Sequence, residues 1–317
     1  MEKTQRKKLF AAMACLTAAL IWGLAFSFQD HAARTLDSFA INSIRSFIGA
    51  LVLVPTVVVF DLITKNGRKL FSTRNPAFIG VTRREVLGGF LCAIALSAAS
   101  YLQQAGLATE EVSAANTAFI TVLYVVIVPI LARILGRRQP LFVWISAAIA
   151  VAGFFLMAYD PKIGFSFAPG DLLVLAAAVM YAVHILIIDH FLDTADPIRL
   201  SMIQFFFVGW LLFPFMIFVE GPSMADIVTA APFVLYLGVM SCGVAFTLQN
   251  VGQRFAPPAA AAMLISLESV FGAIGGAIIL GESMTVFEII GSIAVFLAML
   301  LSQFADNITA WYAKKKG

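Results

Sequence analysis

Runs of about 20 apolar residues recur along the whole chain, and each is long enough to cross a hydrocarbon layer of about 30 Å. Inside such a layer every backbone N–H and C=O must be bonded within the chain. Continuous apolar runs of this length therefore specify helices, and the short alternating segments of a barrel are absent. Composition agrees: 61% of the residues are hydrophobic and 12% charged, about half the charge of a soluble protein. The sequence defines an all-α membrane protein.

Ten spans are expected, at 10–29, 38–60, 86–107, 112–132, 140–159, 171–189, 198–219, 231–252, 257–280 and 285–305. The longest connection, about 62–84, is basic and too short for a soluble domain. Cys15, Cys92 and Cys242 fall inside spans at no metal-ligand spacing and read as small buried residues. Span 1, preceded by Lys3, Arg6, Lys7 and Lys8, has the look of a signal peptide, but its counterpart in the second half argues that it is retained. Of the 21 Lys and Arg residues, Arg34 and Lys162 lie on one side, Arg45 lies within a span, and the remaining 18 lie on the side of the N-terminus. That bias predicts both termini in the cytoplasm. The net charge of +3 follows from this topology, and a nucleic-acid partner is not expected.

The chain is written twice. Trp22-Gly23, Asp37, Arg45 and Pro55 recur 159 positions later as Tyr181-Ala182, Asp196, Gln204 and Pro214. "LQQAG" (102–106) matches "LQNVG" (248–252) at 146, and "LGRRQP" (135–140) matches "LGESMT" (280–285) at 145. The longer basic loop of the first half accounts for the drop. Residues 1–160 and 161–317 thus form two five-span repeats, and because five is odd the second enters the membrane from the opposite side. Inverted repeats build transporters with a midplane site exposed alternately to each side.

Four strings, "LIWGLAFSFQD", "FITVLYVVIVPILARILGRR", "GDLLVLAAAVMYAVHILIIDHF" and "APPAAAAMLISLESVFGAIGGAIILGE", resemble the drug/metabolite transporter superfamily in its ten-helix EamA-type branch. The resemblance covers almost the whole chain. It implies a 5+5 inverted repeat, spans 1–4 and 6–9 around a central cavity, and spans 5 and 10 at the periphery. It also implies a small polar metabolite such as an amino acid as substrate, often moved outward. Two departures matter. The family's span 9 commonly reads Glu-Pro where this chain has Glu268-Ser269, which removes a proline that would kink the span. Four-helix relatives carry a proton-coupling Glu in span 1, whereas this span has no acid between Phe10 and Gln29.

Ionisable side chains within the spans are few: Arg45, His184 and Glu268, with Glu288 near the end of span 10. A charge at the centre of a spanning helix costs about 2.5–3.5 kcal/mol on insertion scales, so each should face protein or a wet cavity. Arg45 lies roughly 10 Å deep and Glu268 roughly 18 Å, close enough in height for a direct or bridged pair. The other readings of Glu268 are a cavity-lining acid, or a neutral carboxyl bonded to a backbone carbonyl and silent in transport. Its counterpart in the first half falls near Val122–Leu123, where there is no charge. His184 is a candidate proton carrier because imidazole titrates near neutrality, and a candidate interhelical bond for the same polarity. Asn116 and Tyr124, two turns apart in span 4, form with Gln103, Gln104, Gln249 and Asn250 a set able to hold a zwitterion. Each alone suits helix–helix bonding equally. Trp22 and Tyr181 are expected as aromatic walls of the site. Gly272, Gly276 and the stretch Ala259–Ala262 read as close-packing surfaces.

Asp160 and Asp171 in "YDPKIGFSFAPGD" sit on one loop, too close together to form a mid-membrane protease dyad. No P-loop, G-x-G-x-x-G or H-E-x-x-H occurs, so neither a nucleotide nor a metal cofactor is expected. The expected protein is a multi-pass secondary transporter of the bacterial inner membrane, not an enzyme. Its partners would be the lipid bilayer, a small-molecule substrate and, as candidate coupling ions, protons. Monomer and homodimer both fit, and an ion channel or solute pore is the alternative function.

Overall fold

A computed structural model describes residues 3–64, 81–107, 109, 114–159, 168–279 and 285–316. Among them are ten apolar helices, nine long enough to span a membrane and one shorter, and no strand. The first five are α1 (Lys3–Ala33), α2 (Ser38–Thr64), α3 (Arg83–Leu107), α4 (Ala114–Thr121 and Tyr124–Ile134) and α5 (Leu141–Ala158). The second five are α6 (Pro169–Leu192), α7 (Pro197–Phe215 with a π-helical end, Met216–Glu220), α8, α9 (Pro258–Ile265 and Glu268–Ile279) and α10 (Val286–Lys316). Helix α8 comprises Met224–Tyr236, a π-helical middle Leu237–Ala245, and Phe246–Gln253.

Local chemistry sets the helix ends. Pro169, Pro197 and Pro258 open α6, α7 and α9, where the missing N–H has no intrahelical partner to lose. The Asp196 side chain accepts from the N–H groups of Ile198 and Arg199. Thr82 with Glu85, Ser223 with Asp226 and Thr285 with Glu288 form reciprocal capping pairs at the starts of α3, α8 and α10. Glu288 is thereby a cap. Ser223 starts α8 at Met224, seven residues before the start expected from hydropathy, because Ser-x-x-Asp nucleates a helix whatever the local apolarity. Gly221 closes α7 with φ +58°, a conformation costly for any residue with a Cβ.

The packing obeys a pseudo-two-fold exchange of α1 with α6, α2 with α7, α3 with α8, α4 with α9 and α5 with α10. Thus α3 packs on α6 as α8 packs on α1, and α4 on α6 as α9 on α1, while α2–α7 and α5–α10 are pairs that map onto themselves. The exchange extends to single hydrogen bonds. Both α4 and α9 break after a first piece of eight residues, about two turns, at Val122–Leu123 and Ser266–Leu267. In the first break the N–H groups of Leu123, Val125 and Ile127 donate to Ile120, Val122 and Leu123. In the second, those of Leu267, Ser269 and Phe271 donate to Leu264, Ser266 and Leu267, each 144 positions on. The span 9 kink is therefore present without proline, as a tight turn that the first repeat reproduces.

Helices α2 and α7 are clasped at both ends. At the end of α2 farther from its start, Asp61 pairs with the guanidinium of Arg199 in the first turn of α7. At the other end Glu220, 159 positions after Asp61, accepts from the N–H groups of Phe39 and Ala40 at 2.7 Å each. The two acids are equivalent. One meets a side chain, the other the open start of a helix.

Toward the side that carries both termini, α1, α4, α6 and α9 close together around Cys15, Ala19, Val125, Val128, Ile185 and Met263, all buried. All three cysteines are buried and unbridged. On the opposite half, α1 and α9 touch backbone to backbone. A Cβ built on Gly23 would lie 2.7 Å from the carbonyl oxygen of Glu268 and 2.8 Å from the amide of Gly272. Gly272 thus joins this crossing as expected of a small residue, while the surroundings of Gly276 lie outside the described residues. Gly23→Ala must push the two helices apart and is expected to cost about 1–3 kcal/mol. A thermal melt of the purified protein should fall accordingly, with Gly275→Ala, which meets only the Leu24 side chain at 3.1 Å, as a near-neutral control.

Candidate functional site

Between the two repeats lies a cavity with about 630 Å³ of atom-free space, the open space at its mouth included. Its lining comes from α1, α2, α3, α4, α6, α8 and α9. Helices α5 and α10 stay outside, as expected, and α7 stands one layer behind. On α1, Trp22, Phe26 and Gln29 recur at steps of four and three and so share a face. From α3 comes Gln103, from α6 Tyr181, His184 and Ile185, and from α8 Ser241, Phe246 and Gln249. The two breaks deliver matched pairs: Thr121 and Tyr124 flank one, Ile265 and Glu268 the other.

Eight of the nine residues named from the sequence line this space: Trp22, Arg45, Gln103, Tyr124, Tyr181, His184, Gln249 and Glu268. The ninth, Asn116, lies in the first piece of α4, and its side chain is outside the described residues. The break at Val122–Leu123 also interrupts the face that a continuous helix would have given Asn116 and Tyr124. Asn250 is not in the lining. It is fully buried and donates to Ser201 Oγ at 2.7 Å, joining α8 to α7. Gln104 is buried away from the cavity.

Most polar groups of the lining are already partnered. Tyr181 donates to Gln103 Oε1 at 3.1 Å, and Gln103 Nε2 donates to Thr121 Oγ1 at 2.9 Å. Trp22 Nε1 donates to Ser241 Oγ at 3.1 Å, the indole standing edge-on to Phe246 with centroids 4.6 Å apart. His184 Nε2 and Gln204 Oε1 are 3.1 Å apart, and Gln249 Nε2 donates to Gln253 Oε1 at 3.3 Å. His184 is 1% exposed, so its hydrogen bond to α7 places it in the wall, with its ring against Phe246.

At the centre, the Tyr124 hydroxyl donates to Glu268 Oε1 at 3.2 Å. The separation of 144 is the offset of the two breaks, so Tyr124, and not Val122–Leu123, is the counterpart of Glu268. The two residues begin the second pieces of their helices and meet across the pseudo-two-fold axis. Arg45 and Glu268 share the cavity, but among the described residues no ion pair joins them within 4 Å. Depth arithmetic compares heights only, and the side chains approach from different helices around the ring.

Phe26, Gln29, Ser241 and Phe246 belong to the lining without having been singled out from the sequence. Helical spacing from Trp22 and from Gln249 carries the signal for Phe26, Gln29 and Phe246. Ser241 lies eight positions before Gln249, on the π-helical stretch of α8. Along the cavity, Phe26, Gln29 and Gln103 are half-buried on the side away from the termini, whereas Ile185, Gln249 and Ile265 are buried toward the terminal side.

An apolar ten-helix bundle of two matched halves around a central cavity that combines apolar walls with buried polar side chains defines a membrane transporter. The EamA-like transporter family profile matches residues 9–159 and again 168–304, and the chain belongs to that family. An "Uncharacterized transporter" of Archaeoglobus fulgidus (strain ATCC 49558 / DSM 4304 / JCM 9628 / NBRC 100126 / VC-16) is 28% identical over 301 residues, 93% of this chain and 86% of the relative. A protein of known crystal structure has the same fold with a TM-score of 0.73 at 17% identity, covering 94% of this chain and 98% of its own.

Proposed function

We propose that this transporter carries a small polar metabolite, an amino acid or a related compound, outward across a bacterial inner membrane by alternating access. Both termini would lie in the cytoplasm, as the Lys and Arg bias argues, and residues 1–160 and 161–317 would be the two repeats. One observation carries the reading. The cavity lies between inverted halves, is sealed by packed apolar residues toward the termini and is half-exposed on the opposite side. Exchange of conformation between the halves would reverse that exposure. The motive force is the substrate gradient or an exchanged proton, with Glu268 as the carrier.

Counterflow in proteoliposomes tests the mechanism. With vesicles preloaded with an amino-acid mixture, entry of labelled amino acid is expected to be saturable and accelerated several-fold over empty vesicles. A channel or pore, the alternative, gives linear flux with no trans-acceleration.

A further inference from the structure

We infer that Arg45 is the receptor for an anionic head group, so that the transported compound must carry a carboxylate or a comparable anion. The inference rests on the transporter reading and narrows its substrate class. Arg45 is only 8% exposed, it lines the cavity, and among the described residues no hydrogen bond or ion pair satisfies its guanidinium. A cation in that position is costly without a partner, and Arg presents a planar fork that matches a carboxylate or phosphate.

The repeat explains how the guanidinium comes to be unpartnered. Its counterpart 159 positions on is Gln204, which bonds His184. The counterpart of His184 by the same offset is Ala25, which has nothing to bond with. The first repeat therefore keeps the polar residue of the pair and lacks its mate. The rest of the lining does not compensate. Tyr181, Gln103, Thr121, Trp22 and Ser241 bond one another, and the acid of the cavity, Glu268, bonds Tyr124. An incoming anion is the group that the site lacks.

The test is binding to the purified protein in detergent, read by thermal shift and titration calorimetry, with L-leucine, L-leucine methyl ester, 4-methylpentanoate, isoamylamine and methylphosphonate as probes. The expected result is binding by leucine and 4-methylpentanoate, and a loss of about 10-fold to 100-fold in affinity for the ester and the amine. Arg45→Gln is expected to weaken the acids by a similar factor and leave the ester unchanged. Gln already occupies the equivalent site in the second repeat, so the fold should accept it. Should that variant not fold, Arg45→Lys is read in its place, with weaker acid binding and an unchanged ester. A response to methylphosphonate in place of the carboxylates, lost in Arg45→Gln, supports the anion site and identifies the head group as phosphate-like. Equal binding of acid and ester, acid binding unaffected by Arg45→Gln, or no shift with any anionic probe overturns the inference. Counterflow separates the two readings. Flux indifferent to Arg45→Gln removes the anion site and keeps the transporter, whereas Arg45-dependent binding without counterflow does the reverse.

Discussion

Glu268→Gln is expected to lower counterflow at least about tenfold and to flatten its dependence on pH between 5 and 9, the range chosen for the assay. Glu268 is the acid in the cavity lining, 8% exposed, and its partner is the hydroxyl of Tyr124. Gln keeps the volume and still offers Oε1 to that hydroxyl, so the helix breaks on either side should persist. What disappears is the ability to hold a charge or to exchange a proton. The other titratable or charged groups of the lining are Arg45, Tyr124, Tyr181 and His184, and Tyr124→Phe separates the hydrogen bond from the acid. Its expected effect is smaller, because the carboxyl remains and a single donor is lost. Flux and pH profile both unchanged in Glu268→Gln would make the residue a silent neutral acid.

The largest effect on stability is expected at Arg199 and Asp61. Arg199 is 1% exposed and Asp61 8%, with Asp196 a further 3.9 Å contact on the same guanidinium. Removing one partner, as in Asp61→Leu or Arg199→Met, leaves the other charge buried and should cost about 3–5 kcal/mol. The double variant should recover most of that loss, because two apolar side chains can fill the site without a stranded charge. Thermal melts of the four proteins check this. A double variant as unstable as the sum of the singles would show that Asp61 and Arg199 act independently and that their pairing contributes nothing.

Spans, repeat and half of the cavity lining were legible in the sequence because each rests on a one-dimensional signal: hydropathy, self-similarity and polar residues in apolar runs. Trp22, Gln103, Tyr181 and Gln249 were named because they are repeat-related or polar within a span, and the fold brings them to one cavity. The Tyr124–Glu268 relation was misread by a single position. The loop strings register at 145, but the breaks register at 144, because the second copy carries one more residue between its break and its loop. String matching sees loops better than it sees helix geometry. The start of α8 falls before the one expected, and Ser223 with Asp226 carried the capping signal for it. The absence of a direct Arg45–Glu268 pair depends on where each helix stands around the ring, about which one sequence is silent.

The clasps at the ends of α2 and α7 have a consequence for how the chain is made. Asp61 is neutralised by Arg199, and the first amides of α2 are satisfied by Glu220, so the second half supplies what the first lacks. A nascent chain that has delivered α1 to α5 to the membrane holds a carboxylate without its cation and a helix start without its acceptor. Neither is relieved until α7 has been synthesised and inserted. The two copies are thus a single unit of biogenesis: a severed first half should be a substrate for membrane quality control unless the second half is supplied beside it.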